Sequence, residues 1–326
     1  MANVLGTSSD ALQLPSGGGA LSGLGESFTP DLQTGSGNFS VPIVCPEAQN
    51  GLRPDLTLGY TTGGGNGPFG MGFRIPTMAI QRETARGVPT YDDSTDRFLF
   101  TDGGRLIDCG DGRFRPEVDT ANWLIRRDGD GWVVVTKDGT RYRLGQSANA
   151  RVEADGRVAT WLLQTMTDPN GQEIRYRYRE EGRQRYLESV TYGPFEVLVE
   201  YGLRPDVITS RRTGFVVETA LRAEQIRVLS QRDGAHELRR YELSYIAPEP
   251  RRLSLLHRIQ LVAGSGDTRA AMPPVTLDYT PLDLMPGALE VFSTTGDITP
   301  PPLSEGNASL VDLAGDQGET VGGDGA

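Results

Sequence analysis

The run Gly59-Tyr60-Thr61-Thr62-Gly63-Gly64-Gly65-Asn66-Gly67-Pro68-Phe69-Gly70-Met71-Gly72-Phe73 admits two architectures, and only one survives inspection. Residues 65–70 satisfy the spacing G-x-G-x-x-G, the fingerprint of a dinucleotide fold. That fingerprint works only when a helix starts at once and turns its N-terminus to the pyrophosphate. Gly70, Gly72 and Pro76 remove nearly all helix propensity from the residues that follow, and no Gly-Lys-Ser/Thr comes after them. The run is therefore read as a tight structural turn made by Gly63, Gly64, Gly65, Asn66, Gly67, Pro68, Phe69, Gly70 and Gly72. An alternating strand over residues 56–60 enters it. Phe69, Met71 and Phe73, two apart, are expected on one face of an extended segment. Gly67, between Asn66 and Pro68, is expected to hold a backbone pose that tolerates no Cβ.

Working outward, the composition agrees with an all-β chain. Of 326 residues 42 are glycine, nearly twice the usual share of about 7%. A hydrophobic content of 37% still suffices for a sizeable core. The net charge of -11 argues against nucleic acid or an anionic membrane surface as the main partner. No window approaches the roughly 18 apolar residues of a membrane span. The start, Met1-Ala2-Asn3-Val4-Leu5-Gly6, has neither the basic region nor the apolar core of a secretory signal, so export by another route is expected. Cys45 and Cys109 stand alone; no disulfide framework or zinc site is implied, and their mutual pairing stays open.

Residues 1–37 form a Ser/Gly-rich arm, and Phe39-Ser40-Val41-Pro42-Ile43 reads as an edge strand because Pro42 donates nothing to a ladder. Downstream the apolar period is two. Residues 132–136 and 141–144 make one hairpin around Asp138-Gly139; residues 161–165 and 174–178 make another around Asp168-Pro169-Asn170-Gly171. Each has a Trp, a Thr four residues on and a later Tyr, as degenerate copies of one unit would. In the second, Ile174, Tyr176 and Tyr178 take one face, and Arg175, Arg177 and Arg179 the other. Strands continue over residues 195–201, 214–219, 225–230, 238–245 and 253–262, with turns at Asp233-Gly234 and residues 248–250 and a short helix over 219–224. Thr299-Pro300-Pro301-Pro302 reads as a stiff linker, followed by a last strand over 309–313.

The chemical inventory is thin. His236 and His257 sit in or beside strands without a Ser or Cys partner, and read as ordinary residues. Asp108 beside Cys109 opposes thiolate formation. Asp92, Asp93 and Asp96 read as a solvated turn, since no glycine or bidentate Glu completes a cation loop. No catalytic, cofactor-binding or metal-ligating residue is assigned.

A resemblance extends this reading. Leu14-Pro15, Gly17-Gly18-Gly19, Gly23-Leu24-Gly25-Glu26, Gly35-Ser36-Gly37, the strand over 56–60 and the run over 65–73 occur in order. Pro76, Ile80, Arg82, Gly87-Val88-Pro89, Tyr91-Asp92-Asp93 and Asp96 follow. The series resembles the SpvB-type N-terminal domain of the Salmonella plasmid virulence B protein, which also opens the B components of insecticidal toxin complexes. It is strongest over residues 12–110 and continues more loosely to 280. The hairpins resemble the Tyr/Asp-rich repeats of toxin-enclosing shells. Residues 312–318 resemble the first Asp-rich loop of the propeller repeats that follow this domain. There Asp312 and Asp316 bracket a calcium-like loop whose middle ligand position holds Ala314, so binding is not expected.

The resemblance implies two regions. Residues 1–280 would be the β domain, with the glycine-rich arm and turn at 12–80 and the hairpin region at 120–280; residues 281–326 would be a Pro-rich linker and the start of a propeller. It implies a non-catalytic shell segment that encloses a toxic C-terminal cargo. Its implied partners are the remaining shell, the propeller, the cargo and a pore-forming toxin subunit. Its implied location is extracellular or host-delivered, after synthesis in the bacterial cytoplasm. The virulence protein's ADP-ribosyltransferase needs a Glu-x-Glu pair beside a Ser-Thr-Ser strand. No Glu-x-Glu occurs here, and Ser293-Thr294-Thr295 is not that strand, so the activity is not expected. The alternative is a module docking to a partner subunit or host receptor, which would show an exposed aromatic patch at Trp123, Trp132 and Trp161.

Overall fold

A computed structural model of the chain describes residues 23–31, 36–119, 121–232, 234–247, 253–264, 270–279, 308–311 and 320–323. Two compact units divide it, Met1–Asp278 and Tyr279–Ala326. The fold is all-β and antiparallel, and the described residues contain no α-helix, only two single 3₁₀ turns at Gln49–Gly51 and Ala148–Ala150.

The first unit begins with a small sheet. Strands β1 (Ser27–Asp31), β2 (Ser36–Pro42), β3 (Thr57–Thr61) and β6 (Phe73–Arg74) run in the order β1-β2-β3-β6. Between β3 and β6 the glycine run folds into a miniature ladder of β4 (Asn66–Gly67) and β5 (Gly70–Met71). The expected edge strand is in fact internal: β2 pairs β1 on one side and β3 on the other. Pro42 is tolerated because its ladder with β1 ends at Ser40, two residues earlier.

The glycine run departs from strict alternation, and two of its glycines explain why. Gly70 and Gly72 hold φ of +85° and +78°, so the chain reverses facing twice within three residues. Phe69 and Phe73 are buried, whereas Met71 is 36% exposed and does not share their face. The close approach lies at these glycines and not at Gly67. A Cβ on Gly72 would stand 2.4 Å from the Tyr60 ring, and one on Gly70 2.7 Å from the Ser254 carbonyl. One on Gly67 would meet nothing nearer than the Phe73 carbonyl at 4.0 Å. Gly72→Ala is therefore expected to cost about 1–3 kcal/mol. Gly67→Ala is expected to change stability by less than about 1 kcal/mol. Denaturant titration of the two variants side by side checks the contrast, and equal losses would contradict it.

Next comes a closed ring. It comprises β7 (Ala79–Arg82), β8 (Phe98–Phe100), β9 (Gly104–Asp108), β10 (Arg113–Pro116), β11 (Leu124–Asp128), β12 (Gly131–Val135), β13 (Arg141–Leu144) and β15 (Arg157–Thr167). Neighbours pair in sequence from β7 to β13, and β15 closes the circle by pairing both β13 and β7. Strand β14 (Arg151–Ala154) lies outside the ring on the first half of β15. Closure leaves these eight strands without a free edge over the paired registers, so the ring needs no other device to avoid edge-to-edge association.

Strand β15 is the hub. Its first half pairs β14 and β7; its second half pairs β13 and launches the long sheet through β16 (Glu173–Glu181). The two Trp-containing segments are thus not equivalent copies. Trp132 faces Leu144 across its own hairpin, whereas Trp161 pairs with Ile80 and Arg151, because only residues 165–167 are left for β16.

The long sheet continues through β17 (Gln184–Tyr192), β18 (Phe195–Ser210), β19 (Val217–Ser230), β20 (His236–Ile246) and β21 (Leu255–Ala263), with β22 (Ala270–Ala271) and β23 (Val275–Thr276) both on β21. On β16 the expected alternation holds: Ile174, Tyr176 and Tyr178 are buried, and Arg175, Arg177 and Arg179 exposed. The helix expected over 219–224 is absent; β19 runs unbroken through it. Thr219, Leu221 and Ala223 alternate inward against β18, and this pairing overrides the local helix propensity. Both expected turns, Asp233-Gly234 and 248–250, fall wholly or partly outside the described residues.

One apolar core joins the small sheet, the ring and the long sheet, with Val41, Leu58, Trp132, Ile174, Val197, Ile226 and Ile259 all within it. Two tyrosine hydroxyls tie the parts of this core together. Tyr178 donates to the Leu163 carbonyl at 2.8 Å, and Tyr241 accepts the Val44 N–H at 2.9 Å, stitching the long sheet to the ring and to the small sheet.

The described part of the second unit is a hairpin of β24 (Ala308–Val311) and β25 (Thr320–Gly323), where the sequence places a strand over 309–313. Asp312, Asp316 and the 299–302 linker lie outside the described residues.

Candidate functional site

Two arginine-centred constellations organise the first unit. The first seizes the glycine turn. Between Leu203 and Ile208 the ladder of β18 with β19 is interrupted, and the excursion presents Arg204 and Asp206 to the turn. The Arg204 guanidinium, fully buried, donates to the Gly67 carbonyl at 3.0 Å, to Asn66 Oδ1 at 2.8 Å and to both Asp206 oxygens at 3.0 and 2.9 Å. Asn66 Nδ2 returns a bond to Asp206 at 3.0 Å, and Ser254 donates its N–H to the same carboxylate at 2.8 Å. Burial works to raise the Asp206 carboxyl. Bonds from Arg204, Ser254 and Asn66 outweigh it and hold the group well below the usual carboxylate range. Backbone bonds finish the seat: Met71 N–H to Ser254 O at 2.9 Å and Ala223 N–H to Pro68 O at 2.8 Å. The structure therefore brings Asn66, Gly67, Pro68 and Met71 to residues more than a hundred positions away, while Gly63 meets nothing within 4 Å of an added Cβ.

The second constellation lies at one end of the ring. Arg82, buried, donates to Val158 O at 2.9 Å, to Asp96 at 2.7 Å and to Asp93 at 2.5 Å. Asp93 also pairs with Arg127. Arg127 lies over Trp132 at 4.1 Å and Trp161 at 4.6 Å, and burial lowers its pKa from the ordinary guanidinium value. Trp132 and Trp161 meet edge to face at 5.8 Å, with Phe98 against both. Tyr91, in a left-handed conformation with φ 64°, adds its ring to the Arg82 guanidinium. The acidic trio is thus no uniformly solvated turn. Asp92 alone behaves so, capping Ser94, while Asp93 bridges two arginines. Asp96 is nearly buried; burial pushes its carboxyl up, but bonds from Thr90 and Tyr91 together with Arg82 outweigh this and lower it from its ordinary value.

Sequence reasoning missed these arginines, although a signal existed. Arg82 follows core Ile80 by two residues and Arg127 follows core Ile125 by two, so each shares a strand face with a buried isoleucine. Arg204 carried no such signal, because its partners are set by an irregular excursion.

In each constellation a hydroxyl donates to a carboxylate, Ser254 to Asp206 and Thr90 to Asp96, and neither includes a histidine or a cysteine. His236 is exposed, and the His257 ring Nδ1 lies 2.9 Å from Leu277 O. Both cysteines are free thiols. Cys45 is buried and its thiol pushed up to about 11 by that burial, whereas Cys109 is exposed. Among the described residues, no three His, Cys, Asp or Glu gather as a metal site. The geometry seats and locks chain segments.

Comparison with known proteins follows this geometry. The family model for SpvB, the Salmonella virulence plasmid 65kDa B protein, matches residues 31–122 and 112–192. The mono(ADP-ribosyl)transferase SpvB of Salmonella typhimurium is 32% identical over 229 residues, 55% of this chain but only 37% of the relative. The crystal structure of TcdB2-TccC3-TEV superimposes with a TM-score of 0.70 at 25% identity, over 82% of this chain and 17% of that one. The N-terminal domain of the effector SpvB from Salmonella typhimurium shares the fold, with a TM-score of 0.60 at 23% identity, over 69% of this chain and 99% of that domain. The chain thus spans little more than a third of the curated relative and about a sixth of the solved toxin chain.

Proposed function

We propose, for a chain that belongs over residues 31–192 to the family of the Salmonella virulence plasmid 65kDa B protein, that it is a non-catalytic wall segment of a secreted bacterial toxin. It forms part of a shell that encloses a toxic C-terminal cargo and helps deliver it. The observation that carries this reading is the superposition on TcdB2-TccC3-TEV, at 25% identity over 82% of the chain. The architecture supports it: an edge-free ring, a long sheet with one packed face, and arginine locks in place of a reaction centre. Its partners are the remaining shell and propeller, the cargo and a pore-forming toxin subunit. It acts outside the producing cell or in the host.

The docking alternative asked for exposed aromatics at Trp123, Trp132 and Trp161. Trp132 and Trp161 are buried, and Trp123 is half-buried against Phe100 at a ring distance of 4.8 Å. The wall reading is tested by limited proteolysis of cargo in the complete assembly, with and without residues 1–278. Removal is expected to expose the cargo and speed its cleavage at least about tenfold, the scale of a 1.4 kcal/mol change in protected population. Equal protection in both assemblies would overturn the reading.

A further inference from the structure

The ring end holds a cavity of about 490 Å³ whose walls include Arg82, Arg127, Arg151, Asp93, Asp130 and Glu153, with Trp161 among the lining side chains. Arg82 spends its guanidinium on Val158, Asp96 and Asp93. The other two do not. Arg127 makes one side-chain hydrogen bond, from Nη2 to Asp93; among the described residues its Nε and Nη1 have no acceptor, and its faces lie on aromatic rings. Arg151 uses Nε and Nη2 on the carbonyls of Gly145 and Gln146 at 2.6 and 3.3 Å. Its Nη1 has only Asp130 at 3.5 Å and Glu153 at 3.9 Å, ion-pair distances beyond a good hydrogen bond.

Stacking and backbone bonds therefore fix both guanidiniums in place while leaving donors unfilled toward a common cavity. Such donors match carboxylate oxygens, and their orientation requires no ordering on binding. We propose that this cavity binds a carboxylate, supplied either by a small dicarboxylic acid or by an acidic side chain of a peptide. Asp130, 83% exposed at its side chain, is the nearer of the two wall carboxylates that compete for Arg151 and keep the site weak.

Binding is read from tryptophan fluorescence, because Trp132 and Trp161 both touch Arg127. The probes are succinate, an N-acetylated, C-amidated Gly-Glu-Gly peptide, and the same peptide with Gln for Glu, against sodium chloride at equal ionic strength. A saturable change with millimolar midpoint is expected for succinate, the Glu peptide or both, and not for the Gln peptide or chloride. Tighter binding of succinate assigns the site to small acids; tighter binding of the Glu peptide assigns it to acidic peptide segments. Asp130→Asn, which leaves the exposed position foldable, is expected to tighten binding about threefold. Arg127→Gln is expected to abolish it. No saturable change, a change shared by chloride, or an Asp130→Asn variant that binds no tighter would each overturn the proposal. None of these outcomes bears on the wall reading, which concerns the assembled shell.

Discussion

Arg204→Met is expected to lower stability by about 3–5 kcal/mol, the usual consequence of deleting one partner of a buried ion pair and stranding the other. Asp206, only 10% exposed at its side chain, would lose its guanidinium partner but keep the bonds from Ser254 and Asn66. The Gly67 carbonyl and Asn66 Oδ1 would lose their donor at the same time. For a unit of this size the melting temperature should fall by roughly 10 °C. Because the depressed Asp206 group binds its proton less readily folded than unfolded, its contribution is complete above the unfolded carboxylate pKa of about 3.9. That contribution is lost as pH falls from there toward the folded value. Wild type should therefore lose stability on acidification through this window, and Asp206→Asn should lose less. A melting temperature of Arg204→Met within 2 °C of wild type, measured at pH 7, would show that the clamp does not hold the turn.

Trp161→Ala should be comparably costly, about 3–5 kcal/mol, by removing a buried indole from among Phe98, Trp132 and Arg127. The indole is 2% exposed, donates to the Asp130 carbonyl at 2.8 Å, and supports both Arg82 and Arg127 on its faces. It also belongs to the hub strand that closes the ring, so the loss should reach β7 and β14 together. The edge-to-face pair with Trp132 supplies a second readout, since its coupled circular dichroism should vanish in this variant. Trp161→Phe, keeping a smaller ring in place, should recover a substantial part of the stability. Retention of full stability by Trp161→Ala would mean that the ring is held by its ladders alone.

The ring end and the clamp also divide what each level of description reveals. Alternation along β16, the turn residues Asp168 to Gly171 and the shortage of helix formers made the all-β antiparallel class legible, because strand period and turn chemistry are local properties. The same locality explains the errors. Phe69, Met71 and Phe73 were assigned one face by counting in twos, but positive φ at Gly70 and Gly72 breaks the count, and φ is not written in the spacing. Residues 219–224 have helical composition, yet a long neighbour, β18, was available to pair with them.

Ring closure depends on contacts between strands far apart in the chain. Residues 79–81 meet 160–162, and no run of local residues specifies that register. The same holds for the clamp, where Arg204 reaches Asn66 and Gly67 across about 140 positions. Local pattern gave the strands their faces and the turns their places. The decisions left to tertiary structure were which faces meet, which glycines are sterically essential and which arginines are buried, since burial and pairing are energies shared between residues that the sequence keeps apart.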